Sequence, residues 1–193
     1  MTKFVVNSAA IIKDMSEKQN LNEHWVGSKH EPWNSMNNDG KGKCGTLIYQ
    51  QILEEKGFET KVISAQGDLL YRKPEEAEWT RAEVKASKAT FSFCKDGTIS
   101  ESFWFNQIRP KQKLWNEVVL VCVAPNHVRI YVNGRNSFNK LFSEFNNGAK
   151  NSLAGLSHIG TDELAQVKLI NNSKTCNLDE WVEFYSDQEE GKY

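Results

Sequence analysis

The apolar positions of the chain change spacing in a definite order, and each spacing predicts an element. In "CGTLIYQQILEEKG", Leu47, Ile48, Ile52 and Leu53 recur at helical intervals, and Gly57 stands where such a helix would end. "FETKVIS" then alternates like a half-buried strand. "DLLY" and "TRAEVKAS" predict two more strands, separated by "RKPEEAEW", whose proline and charges make a turn. "TFSFCKDGTISESFWF" reads as a hairpin with Asp96-Gly97 at its tip, since Asp-Gly supplies the positive φ that tight hairpin turns need. "VVLVCVA" is apolar and largely β-branched without interruption, the composition of a central strand covered on both faces. "PNHVRIYVNG" turns and returns. Phe138, Leu141, Phe142 and Phe145 then share one helical face of "RNSFNKLFSEFNN", and "LDEWVEFYSDQ" repeats the spacing. Residues 27–43, rich in Gly, Asn and Lys, read as a long loop. Helix, three strands, hairpin, buried strand and helix predict an α/β or α+β fold with a mixed sheet.

A chain of 193 residues forms one domain, and 39% hydrophobic with 25% charged residues suits a globule with a real core. Six tryptophans and ten phenylalanines exclude a disordered chain. No apolar run approaches membrane-spanning length, and the opening "MTKFVVNSAAIIKDM" lacks a signal peptide's apolar centre. A cytoplasmic protein without membrane contact is expected. Cys44, Cys94, Cys122 and Cys176 are far apart with no Cys-x-x-Cys pair, and are expected to be reduced, buried thiols.

The net charge of -1 is unevenly spread. Residues 177–191 hold six acids (Asp179, Glu180, Glu183, Asp187, Glu189, Glu190) and no Lys or Arg. Without those six, 24 basic residues face 19 acidic ones, a body of net charge +5. Such a body is compatible with a polyanion partner, and equally with a neutral protein carrying a solvated acidic last helix.

An acidic residue two positions before a lysine occurs five times, at Asp39, Glu54, Glu59, Glu83 and Glu190. Only the triplet at Glu83 lies on a predicted strand with an acid, Asp68, on the strand before it. A turn centred near residue 76 sets Asp68 against residue 84, and strand alternation puts Glu83 and Lys85 on one face with Val84 turned into the core. Two carboxylates and a lysine so close call for a divalent cation, and hard oxygen ligands suit Mg²⁺. Phosphodiester hydrolysis then becomes possible, with the cation polarising the phosphate and acidifying water while the lysine orients or activates that water. The same three residues would serve equally as an exposed hairpin with an ordinary cross-strand pair.

With these residues, in the order helix, strand, "GDLLY", "AEVKAS", "SFWFNQIRP" and "VVLVCVAPNHVRIYV", the chain resembles the PD-(D/E)xK nuclease superfamily, and within it small type II restriction endonucleases. The resemblance spans residues 41 to about 135. It implies a restriction-endonuclease-like mixed sheet flanked by helices, with Asp68, Glu83 and the main-chain carbonyl of Val84 as metal ligands and Lys85 as the catalytic lysine. The proline of the family's Pro-Asp is Gly67 here. The acid that many members carry on the preceding helix is not evident: Tyr49, Gln50 and Gln51 occupy the expected turn, with Glu55 one turn on.

Other residues take roles by position. Gln107 is placed near the active site, supporting the water or the lysine, with Arg109 on phosphate. Lys88, just past the active strand, and Lys41 and Lys43, in a Gly-rich segment before a helix, are placed on phosphate. No Gly-x-x-x-x-Gly-Lys-Ser/Thr occurs, so no nucleotide cofactor is expected. His24, His30, His127 and His158 offer a rival His-based or zinc site, but no second ligand cluster accompanies the Asn-His of "APNHVR". Base reading falls to "NGRNSFNK" and "NNGAKN", with Arg135, Asn136 and Asn139 as readers.

The resulting expectation is one nuclease domain with a catalytic core over 41–135. An N-terminal loop region (1–40) and a C-terminal helical region (136–193) are available for DNA recognition or dimerisation. The expected activity is Mg²⁺-dependent cleavage of double-stranded DNA at a short sequence, with Mn²⁺ able to substitute, as in a type II restriction endonuclease of a restriction-modification pair. Symmetric double-strand cutting implies a homodimer. The alternatives are a structure-specific or nicking repair or recombination nuclease of the same fold, and a catalytically inactive DNA-binding module.

Overall fold

The structure, a computed structural model, describes residues 21–63, 68–108, 115–146, 157–159, 164–170 and 181–187. Two short 3-10 helices (Leu21–Trp25 and Glu31–Ser35) precede helix α1 (Asn38–Glu55) and strands β1 (Glu59–Val62), β2 (Leu69–Arg72) and β3 (Thr80–Lys88). Next come β4 (Thr90–Phe93), β5 (Ile99–Ile108), β6 (Glu117–Val123) and β7 (Val128–Gly134). Helix α2 (Arg135–Asn146) and strands β8 (Ser157–Ile159), β9 (Leu164–Ile170) and β10 (Val182–Ser186) complete the described elements.

Two sheets result. The larger has the order β1-β2-β3-β6-β7-β10, the smaller β4-β5-β9-β8. Every pairing is antiparallel except that of β3 with β6. The fold is therefore α+β, a mixed and mostly antiparallel sheet flanked by helices. The apolar run 118–123 is buried throughout, as a strand enclosed on both faces requires. Asp96-Gly97 does turn the β4–β5 hairpin, with Gly97 at φ +82°.

Helix α1 lies over β1, β2 and β3, with Tyr49, Ile52 and Leu53 buried. The approach is closest at Gly45, where a Cβ would fall 2.4 Å from the Cβ of Ala86. The smaller sheet meets the larger through β5 and β3, where the Trp104 N–H donates to Ser87 Oγ at 3.1 Å. Farther along the same contact, Arg129 Nη2 donates to Glu101 Oε2 at 2.6 Å.

Two expectations are overturned. The helix expected from residue 44 begins six residues earlier, within the segment 27–43 read as loop. Asn37 caps it by accepting from the Gly40 N–H at 2.7 Å, and the cap together with the contact on β3 outweighs the low helix propensity of Gly40 and Gly42. The second helix expected in "LDEWVEFYSDQ" is not found where that segment is described: Val182–Ser186 is β10, paired with β7, and β8 and β9 belong to the smaller sheet. The described acids Glu183 and Asp187 thus lie on or beside a strand. No described helix is long and apolar enough to cross a membrane. Of the thiols, Cys44, Cys94 and Cys122 are free, but only Cys122 is fully buried; Cys176 lies outside the described residues.

Candidate active site

The site begins with a difference in strand length. Pairing of β2 with β3 sets Leu69 against Ala82 and Tyr71 against Thr80, and β2 goes no further than Leu69. Strand β3 continues to Lys88 paired with β6, and among the described residues no strand pairs with its other edge from Val84 onward. Asp68 sits where β2 meets that edge. Its N–H donates to the Ala82 carbonyl at 3.0 Å, and its Oδ2 accepts from the Val84 N–H at 2.8 Å.

The register corrects the sequence reading by one residue. Continued past Leu69, it brings Asp68 across from Glu83, where residue 84 was expected. Residues directly opposite share a face, and a one-residue slip would reverse it. Asp68, Glu83 and Lys85 therefore share the face turned away from α1, while Val84 is buried on the other. A residue's N–H and C=O leave a strand on the same side, so the Val84 carbonyl points with its N–H toward the open edge.

Lys85 Nζ lies 2.8 Å from Glu83 Oε1, with side chains 25% and 20% exposed. Among the described residues Asp68 has no ion pair as short. Burial, and next the negative charge of Glu83, push its carboxyl above the ordinary carboxylate range, against the opposing pull of the Val84 N–H and of Lys85. A second positive charge would relieve both causes. Two carboxylates and a main-chain carbonyl at an open edge are a hard-oxygen donor set, and they fit a Mg²⁺ or Mn²⁺ ion that keeps several waters. Among the described residues no group of three or more His, Cys, Asp and Glu side chains gathers, so the donor set depends on that carbonyl.

A cleft of about 510 Å³ opens over this edge. Asp68, Val84 and Lys85 form its floor; Asn38, Lys41 and Gly42 of α1 form one wall, and Trp104 and Phe105 of β5 another. Lys88 and Trp33 also line it. Lys41 and Lys88 are thus gathered with Asp68 and Lys85. Lys43 does not line this cleft: it pairs with Asp39 at 2.8 Å and lines an adjoining cavity of about 800 Å³ that also reaches Asp68.

The remaining sequence assignments fare differently. Gln107 lies in β5 at a register shift between Phe105 and Ile108, two residues beyond the cleft wall. Arg109 lies outside the described residues, as does "NNGAKN" from residue 147 on. Arg135, Asn136 and Asn139 belong to the start of α2, where no loop forms, and none lines the cleft. The Arg135 guanidinium donates to the Trp115 carbonyl at 3.3 Å, beside the start of β6 and so at the opposite end of β3 from Lys88. Gln51 and Glu55 bond each other on the outer surface of α1, while Tyr49 reaches Glu117. The turn of α1 that faces the site is Asn38–Gly42, three turns before the one expected.

The described histidines are dispersed. His24 stacks on Phe91, His30 Nδ1 is 2.7 Å from the Ala124 carbonyl, and His127 Nε2 lies 3.8 Å from Glu101. Sequence reasoning missed Trp33, Asn38, Ser87 and Trp104. Only Ser87 and Trp104 carried a signal, alternation that puts Ser87 on the face of Lys85 and the polar-side position of Trp104 between Phe103 and Phe105. Comparison with protein-family models, with curated proteins and with solved structures found no match to this chain.

Proposed function

We propose that the chain is a Mg²⁺-dependent endonuclease of restriction-endonuclease-like fold that hydrolyses phosphodiesters of double-stranded DNA, acting as a homodimer at a short sequence. The observation that carries the reading is the meeting of Asp68, Glu83 and Lys85 on one face at the open edge of β3. Asp68, Glu83 and the Val84 carbonyl would hold the ion, which when bound supplies charge to the scissile phosphate and acidifies water. Lys85 is the one cation bonded within the acidic group. Its ammonium could orient the attacking water or offset charge gathering on phosphate oxygen. The open edge matters as much as the charges, because a phosphodiester within a duplex can approach only a strand edge that no neighbouring strand covers.

Supercoiled plasmid incubated with the protein and Mg²⁺ should be nicked and linearised, and EDTA should stop the reaction. Asp68→Asn should abolish cleavage while leaving the circular dichroism spectrum unchanged. Undiminished cleavage by Asp68→Asn would remove the assignment. DNA binding by the wild type without any cleavage in Mg²⁺ or Mn²⁺ would leave an inactive binding module. Sequencing the ends of digested DNA identifies the recognition site, or shows that cutting follows DNA structure instead.

A further inference from the structure

The cleft holds two charge centres of opposite sign. Asp68 lines one end; Lys41 and Lys88, brought together from α1 and from the end of β3, line the same space. Neither lysine meets a carboxylate among the described residues, unlike Lys43 with Asp39 or Lys85 with Glu83. Lys88 is nevertheless held in place. Its ammonium donates to Asn34 Oδ1 at 3.1 Å and lies 5.9 Å from the centre of the Trp25 ring, which leaves donors unused on a group that carries three. Burial first and the charge of Lys41 second lower its pKa, as expected of two like charges converging without a counter-ion.

Two further features have the same sign. Asn38 and Lys41 stand in the first turn of an 18-residue helix, where main-chain N–H groups and the helix dipole favour an anion. Trp33, only 4% exposed, lines the cleft, and its indole N–H is buried with no acceptor among the described residues. An excess of donors and positive charge beside a carboxylate pair is costly unless something negative is held there.

We infer that Lys41 and Lys88 form a seat for a second phosphate of the DNA strand, the neighbour of the one placed over Asp68 and Glu83. This rests on the nuclease reading and deepens it. The substrate must then carry adjacent internucleotide phosphates, so a polynucleotide strand fits the cleft, and a lone phosphodiester or a terminal phosphomonoester fills only half of it.

The test is binding of a fluorescent DNA duplex by anisotropy in EDTA over a salt series, which makes no use of cleavage. Lys41→Ala and Lys88→Ala should each flatten the slope of log affinity against log salt, and the double variant by about 0.9, the effect of losing one phosphate contact. Lys43→Ala, two residues on and already paired with Asp39, should change the slope less. Replacing single phosphates by neutral methylphosphonates should locate one linkage whose change weakens wild-type binding about tenfold or more. That change should cost the Lys41→Ala/Lys88→Ala double variant almost nothing further. Additive losses, or a slope change for Lys43→Ala as large as for Lys88→Ala, would overturn the seat and leave the nuclease reading standing. Cleavage by Asp68→Asn would overturn the nuclease reading whatever the slopes showed.

Discussion

Between the two sheets, Arg129 meets Glu101 at 2.6 Å with the two side chains 8% and 9% exposed, and Phe103 lies against the guanidinium. At the edge of β3, Lys85 meets Glu83 at 2.8 Å with Asp68 left over, and Asp68 and Lys85 line a cleft with two more lysines. By register Ser87, Cys122 and Arg129 are neighbours across the larger sheet, so both clusters lie on the same face. Their chemistry differs because their closure differs. The first is a matched pair, sealed by aromatic rings, with Tyr131 and His127 beside it. The second is unmatched, partly wet and placed where a strand ends. A matched, sealed pair holds sheets together; an unmatched, open one is an arrangement maintained at a cost in stability.

The largest effect should come from opening the sealed cluster. Arg129→Ala leaves Glu101 buried without its partner, a loss of about 3–5 kcal/mol, read as a drop in the urea midpoint. Whatever protein remains folded should cleave at the wild-type rate. A variant that keeps its stability but loses cleavage would move Arg129 from scaffold to site and end the contrast.

The second effect is the mirror image. Lys85→Ala should slow single-turnover cleavage by about 10²–10⁴-fold, the usual reach of a positioned proton-transfer group. It should change stability little, since the pair it breaks is partly exposed. Calorimetric Mg²⁺ or Ca²⁺ affinity should stay or tighten, because a cation that competes for Glu83 has gone. Loss of metal binding as severe as in Asp68→Asn would show that Lys85 holds the acidic pair together and takes no part in the chemistry.

The smallest effect has the sharpest sign. Folding raises the Asp68 pKa, so between the ordinary carboxylate range and that raised value the native protein binds the extra proton. Stability contributed by this group is full below the window, is lost as pH rises through it, and at neutral pH the penalty stands entire. Metal-free Asp68→Asn should therefore melt slightly above wild type at pH 7, and the gap should close as pH falls below the window. A neutral-pH melting point below wild type would make the Asp68 bond to the Val84 N–H structural.

How much of this was legible depended on range. The buried strand 117–123 and the Asp96-Gly97 turn were readable because burial on both faces and positive φ each leave a local signature. The spacing of Trp181, Val182, Phe184 and Tyr185 imitated a helix because β10 is bulged between Glu183 and Tyr185, which breaks strand alternation and puts two aromatics in succession. Asp68, Glu83 and Lys85 could be grouped from one hairpin, though with the register one residue off. Lys41 and Lys88 are 47 positions apart, and Trp33 and Trp104 farther still, so only the packing of α1 and β5 on β3 brings them into one cleft. Arg135 looked like a loop arginine because nothing local reveals that its guanidinium is occupied by the Trp115 carbonyl.

With only hydrogen at residue 45, α1 rests on the methyl of Ala86 and neither partner has room to slide. Asn38 and Lys41 ride on that helix, and Lys85 and Lys88 on that strand. The gauge between the two jaws of the cleft is thus set by this one close packing contact. Recognition of a strand would then work by measurement: a backbone whose phosphates match the gauge is accepted as it stands, and any clamping motion has to come from elements other than these two.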